Sequence, residues 1–136
     1  MNIKENNNFK KGGVKLYNEK IELDKILELN KTAHMKKDRK ERFERAIALL
    51  DKDDYIEHVF LVDKNHPEGK ELHCVTHSGI IFILNERKYL KGVPCLITIF
   101  LARKNQIIRL YEPFNLKVSR YTLNKCEYYI TNHLNV

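Results

Sequence analysis

Residues 71–86, ELHCVTHSGIIFILNE, decide the fold. Two runs rich in β-branched and aromatic residues flank Ser78-Gly79, a pattern that predicts a hairpin closed by a two-residue turn. In that register His77 faces Ile80, Val75 faces Phe82 and His73 faces Leu84. Strand alternation then sends Glu71, His73, Val75 and His77 to one face. Leu72, Cys74 and Thr76 go to the other, together with Ile81 and Ile83. The second run, IIFIL, is apolar on both faces and predicts a strand in the interior of a sheet.

Outward from the hairpin, YIEHVFLVD (55–63) reads as a strand, followed by a loop over 65–69 that carries Pro67 and Gly69. Pro94 opens a second apolar strand, CLITIFLA (95–102), and QIIRLY (106–111) reads as the last strand, with Arg109 and Tyr111 on one face. The flanks read as helices. EKIELDKILELN (19–30) has Leu23, Ile26 and Leu27 at helical spacing. MKKDRKERFERAIALLDK (35–52) carries Phe43, Ala46, Ile47 and Leu50 as one stripe. VSRYTLNKCEYYITNH (118–133), capped by Ser119 or Thr122, turns Leu123, Cys126, Ile130 and Leu134 inward. Helices segregated from strands predict an α+β fold. It would be an antiparallel sheet of about five strands with N-terminal helices and a C-terminal helix packed on one face. Residues 1–13 have few apolar groups and end in Gly12-Gly13, which predicts a flexible N-terminal arm on a single domain over 14–136.

The chain has 136 residues and is 43% hydrophobic, enough for a real core, with a formal net charge of +7. The positive balance favours acidic partners: nucleic acid, a nucleoprotein or an acidic protein face. Much of it lies on the first half of the second helix, at Lys36, Lys37, Arg39, Lys40, Arg42 and Arg45. These are the candidate partner-binding residues, able to lie against phosphates or an acidic surface. Three cysteines, no secretory signal and no apolar run of membrane-spanning length imply reduced thiols in the cytoplasm and no membrane partner. Richness in Lys, Asn and Ile matches an AT-rich gene of a low-GC bacterium or its phage.

Cys74 and His77 have the Cys-x-x-His spacing of a zinc knuckle, and His66 lies just upstream, so these three are the candidate metal ligands for a structural zinc. Strand geometry opposes the site. Residues three apart on a strand face opposite ways, and His73 and His77 would stand about 13 Å apart. A metal therefore requires a bend near the turn or donors from elsewhere.

Two resemblances bear on function. The charged helix KKDRKERFERAI (36–47), followed by ELHCVTHSGIIFILNE and PCLITIFLARKNQIIRLYE (94–112), resembles the barnase, colicin and RelE-type nuclease superfamily over residues 34–112. That resemblance implies metal-independent RNA cleavage, with His73 as acid or base, Arg103 and Arg109 on phosphate, and Tyr111 beside them. In size, composition and lack of a complete catalytic set, the chain also resembles small phage and prophage proteins that block type II CRISPR effectors or other host nucleases. This second resemblance implies a non-enzymatic inhibitor that binds a host nuclease or nucleoprotein by surface complementarity. It is the expectation carried forward, with the ribonuclease as its alternative. A basic nucleic-acid-binding module using Tyr128 and Tyr129 is a third.

Overall fold

The computed structural model describes residues 13–31, 36, 40–63, 70–85 and 95–129. In chain order the elements are β1 (Val14–Leu16), α1 (Leu23–Leu27), β2 (Asn30–Lys31), α2 (Lys40–Ala48) and β3 (Ile56–Val62). Then come β4 (Glu71–Thr76), β5 (Ile80–Asn85), β6 (Cys95–Leu101), α3 (Lys104–Tyr111), a 3-10 turn (Glu112–Phe114) and α4 (Arg120–Tyr129). The fold is α+β. Five antiparallel strands run in the order β1-β3-β4-β5-β6, and β2 adds a two-residue parallel pair at the outer side of β6.

The expected sheet is present, but its fifth antiparallel strand is β1, paired from Val14↔Val62 to Leu16↔Phe60. The segment QIIRLY, expected as a strand, forms most of α3 instead. Ile107 and Tyr111, four residues apart, are both fully buried, which suits a helix face. The Gln106 side-chain oxygen accepts a 2.7 Å hydrogen bond from the Arg103 backbone N–H and ties the helix start.

Helices cover both faces of the sheet, a correction to the expected single layer. Under α1 and α2 lie Val59, Leu61, Leu72, Cys74, Phe82, Leu84, Leu96 and Ile99, with Ile26 and Ala46 from the helices themselves. Under α3 and α4 lie Phe60, Val62, Val75, Ile81 and Ile83, with Ile107, Tyr111 and Cys126. This is why β5 is buried along its whole length, as the apolar run IIFIL requires.

The hairpin register differs by one residue from the expected one. Cys74 pairs with Phe82 and Val75 with Ile81, so His77, Ser78 and Gly79 form a three-residue loop. Gly79 takes φ +90, the left-handed conformation that such loops place at their last position. A one-residue shift exchanges faces. Cys74 therefore packs with Phe82 and Leu84, while Ile81 and Ile83 lie on the opposite face. A Cβ on Gly79 would sit 2.7 Å from Cys126 Sγ, so α4 packs directly on the turn.

The first flanking helix is shorter than expected. It spans five residues, α2 is described over Lys40–Ala48, and α4 begins at Arg120 after Ser119, whose Oγ accepts from the Thr122 N–H. The expected arm over 1–13 lies outside the described residues except for Gly13, whose carbonyl accepts from the Asp63 N–H, and Ile130 and Leu134 of the C-terminal stripe lie outside them too.

Candidate functional site

The turn between β4 and β5, the start of β3 and the end of β6 meet at one end of the sheet. Here β3 carries a bulge. Ile56 pairs with Thr76 and His58 with Val75, leaving Glu57 as the extra residue. Ile56 packs toward α1 and α2, while Glu57 and His58 both reach the α3/α4 side. One Glu57 carboxylate oxygen accepts from the Tyr111 hydroxyl at 2.9 Å, and the other lies 3.0 Å from His77 Nδ1. Burial, and then the Glu57 charge, push the Tyr111 hydroxyl far above its ordinary range, so it serves as a donor.

His77 is held from every side. Its ring stacks between Tyr55 (5.2 Å) and Tyr121 (4.8 Å), each inclined by 13°. Its backbone N–H donates to Tyr55 O, and its carbonyl accepts from Thr122 Oγ1 at 2.7 Å. Asp54 accepts from the Ser78 hydroxyl and, at 3.3 Å, from the Ser78 N–H. The Tyr121 hydroxyl donates to Asp51, which also pairs with Lys125 at 3.4 Å. The hydrogen bond to Asp51 raises the Tyr121 pKa. Chemically, Tyr111, Glu57 and His77 form an oriented carboxylate–imidazole unit. Mechanically they clamp β3, the hairpin turn, α3 and α4 to one another.

Of the predicted metal ligands, Cys74 and His77 are not brought together. Cys74 lies in the core under α1 and α2, where burial pushes its thiol up to about 12. His77 is engaged with Glu57 on the other face, and His66 lies outside the described residues. Among the described residues no group of three or more His, Cys, Asp or Glu is placed to hold a metal.

The residues implied by the ribonuclease resemblance come from β4 and from α3 with the residue before it. Tyr111 is fully buried and bonded to Glu57. Arg109 is exposed in the last turn of α3, and Arg103 precedes that helix. His73 Nε2 lies 2.9 Å from Glu71 Oε1. Cross-strand pairing places His73, Ile83 and Thr98 in one row, with Glu71 and Asn85 paired on the same face. Thr98 Oγ1 is buried without a hydrogen-bond partner among the described residues.

Arg103 instead joins the basic helix. A groove of about 580 Å³ runs between α2 and the junction of β6 with α3, lined by Arg42, Arg45, Phe100, Arg103 and Gln106, with Glu41 at its side. The amphipathic pattern of α2 explains the arrangement. Ala46 is buried and Phe43 and Ile47 pack on the core, which leaves Lys40, Arg42 and Arg45 exposed. Lys36 is helical and exposed, whereas Lys37 and Arg39 lie outside the described residues. Tyr128 and Tyr129 fall on α4, and their side chains are outside the described set too.

The chain matches no family model, no curated protein and no solved structure. Its chemistry is therefore read from its own residues. The basic helix, Arg103 and His73 are named by the sequence alone. Glu57, Tyr55 and Tyr121 are not. One signal was present: Glu57-His58 places two polar residues in succession and breaks the alternation of YIEHVFLV, as a bulge does. No described helix is long and apolar enough to cross a membrane.

Proposed function

We propose that this chain is a non-enzymatic inhibitor of the phage type, which binds a host nuclease or nucleoprotein in the bacterial cytoplasm through the basic surface of α2. The observation that carries the reading is the convergence of Arg42, Arg45 and Arg103 on one open groove. Arginines at a rim of this kind steer and orient an acidic partner. Zinc enters this reading only as a structural ion using His66 and other donors outside the described residues, and substoichiometric zinc in the purified protein removes it. The test is capture from a low-GC bacterial host, followed by titration of the captured nuclease. A stable complex and falling nuclease activity are expected, and both should be lost in Arg42→Glu/Arg45→Glu. Equal inhibition by that variant overturns the assignment of the surface.

The Glu71–His73 pair favours a second reading, a metal-independent ribonuclease. A carboxylate that orients an imidazole on a sheet face, beside Asn85 and a Thr98 hydroxyl with no partner among the described residues, is suited to moving a proton. RNA cleavage that persists in excess EDTA and vanishes in His73→Ala supports it. Its absence in the wild-type protein rejects it.

A further inference from the structure

We infer that the groove between α2 and the β6–α3 junction is a binding site for a single nucleic-acid strand, taking its phosphates on Arg42, Arg45 and Arg103. The inference rests on the proposed nucleoprotein-binding function and names the part of the partner that is gripped.

Four observations converge. Arg42 and Arg103 have no acidic partner among the described residues, and Arg45 has only a 3.9 Å contact with Glu41, both side chains being more than half exposed. Three guanidiniums thus face the groove against one loosely engaged carboxylate. Guanidinium forks match phosphate oxygens bidentately, which a lysine-rich solubility face would not offer. Second, the groove is of a size to hold a small ligand group. Third, the Gln106 side-chain oxygen is taken by the Arg103 N–H, which turns its amide NH2 into a donor without a partner among the described residues. Such a donor suits a base or ribose oxygen. Fourth, only Cys95 and Leu96 of β6 pair with β2, so among the described residues no strand covers the outer edge of β6 over 98–101. Phe100 and Leu101 of that edge line the groove.

An acidic protein strand is the competing occupant, since an open strand edge flanked by arginines could also pair with one. Three guanidiniums set against one carboxylate favour the nucleic acid, because every unit of a nucleic-acid strand carries a phosphate, whereas a protein strand turns only every second side chain to one face.

The test is fluorescence anisotropy of a labelled single-stranded oligonucleotide, RNA and DNA in parallel, over a range of salt. The full chain should bind, with affinity falling as salt rises. Arg103→Ala should weaken binding about tenfold, the usual loss for a charge-assisted hydrogen bond. Arg42→Ala/Arg45→Ala/Arg103→Ala should lower the slope of log affinity against log salt by about 2, as three lost phosphate contacts require for a single strand. Gln106→Glu keeps the oxygen that ties α3 and adds a charge to the groove, so it should weaken binding without loss of Tm. Lys117→Ala, on the exposed connection before α4, should bind as wild type. No oligonucleotide binding at low salt, or an unchanged salt slope in the triple variant, overturns the inference. Inhibition of a host nuclease without oligonucleotide binding also overturns it, and points to the acidic strand while leaving the inhibitor reading intact.

Discussion

Replacing Glu57 by alanine tests whether the Tyr111–Glu57–His77 unit is the clamp at the turn end of the sheet. Two losses add. The Tyr111 hydroxyl belongs to a fully buried residue and would lose its partner, which costs about 1–3 kcal/mol for an orphaned buried donor. The contact with His77 is partly exposed, at 29% and 19% for the two side chains, so its share is only about 0.5–1 kcal/mol. Glu57→Ala should therefore destabilise by about 2–4 kcal/mol, lowering Tm by roughly 3–5 °C for each kcal/mol in a chain of this size. Tyr111→Phe removes the hydroxyl itself and leaves Glu57 bonded to His77, so it should cost only about 1–2 kcal/mol. The double variant carries no orphaned hydroxyl and should cost about 1–2 kcal/mol less than the two single changes together. Urea unfolding, followed by far-UV circular dichroism and tyrosine fluorescence, measures all four proteins, since the chain has seven Tyr and no Trp. Strict additivity, or a loss below about 1 kcal/mol in Glu57→Ala, would refute the reasoning, because either would mean that the hydroxyl is solvated in the native state.

Gly79→Ala should cost about 2–4 kcal/mol, since it combines a left-handed backbone with a Cβ 2.7 Å from Cys126 Sγ. Adding Cys126→Ala should recover the packing share and leave the backbone share, as measured by urea midpoint. Thr98→Val removes a buried hydroxyl that has no partner among the described residues and should stabilise by about 1 kcal/mol, with a loss of stability in thermal unfolding showing that the hydroxyl is satisfied in solution. Burial pushes the Cys74 thiol up to about 12 and that of Cys126 up to about 11, both from 9.0. Between 9.0 and about 11 the unfolded chain releases both protons while the native chain keeps them, so stability must fall as pH rises. The slope should approach 1.4 kcal/mol per pH unit for each thiol, roughly, and a flat urea midpoint across that window contradicts the burial. In the native protein at neutral pH, Cys95 alone, partly exposed at the start of β6, should react with a thiol-specific reagent, and prompt reaction of all three would show that the core opens.

Much of this architecture was legible from pattern alone. The hairpin, the apolar strands β5 and β6, the core stripe of α2 and the Ser119 cap of α4 all follow from periodicity and local hydrogen-bonding chemistry. QIIRLY was not legible, because Ile107 and Tyr111 share a face both in a strand and in a helix. The choice fell to the helix because Ile107 and Tyr111 help to close the sheet face that Phe60, Val75 and Ile81 leave apolar. The register of the hairpin was equally open, since Ser78-Gly79 suits a two-residue turn and His77-Ser78-Gly79 suits a three-residue one. The packing of Cys126 against Gly79 accompanies the longer loop. Of the site, the charges of α2 could be read directly, but their meeting with Arg103 could not, because 58 residues separate Arg45 from Arg103.

The sequence by itself determined the α+β class, the hairpin at 71–86 and the basic exposed side of α2, because each rests on contacts within one element or between neighbours in the chain. Only the tertiary structure decided which face each side chain of that hairpin occupies, that Glu57 turns toward His77 and Tyr111, and that three arginines share a groove. Those outcomes depend on a one-residue loop length, a one-residue bulge and the packing of distant helices. Each of these changes which groups meet while leaving the local pattern of hydrophobic and polar residues the same.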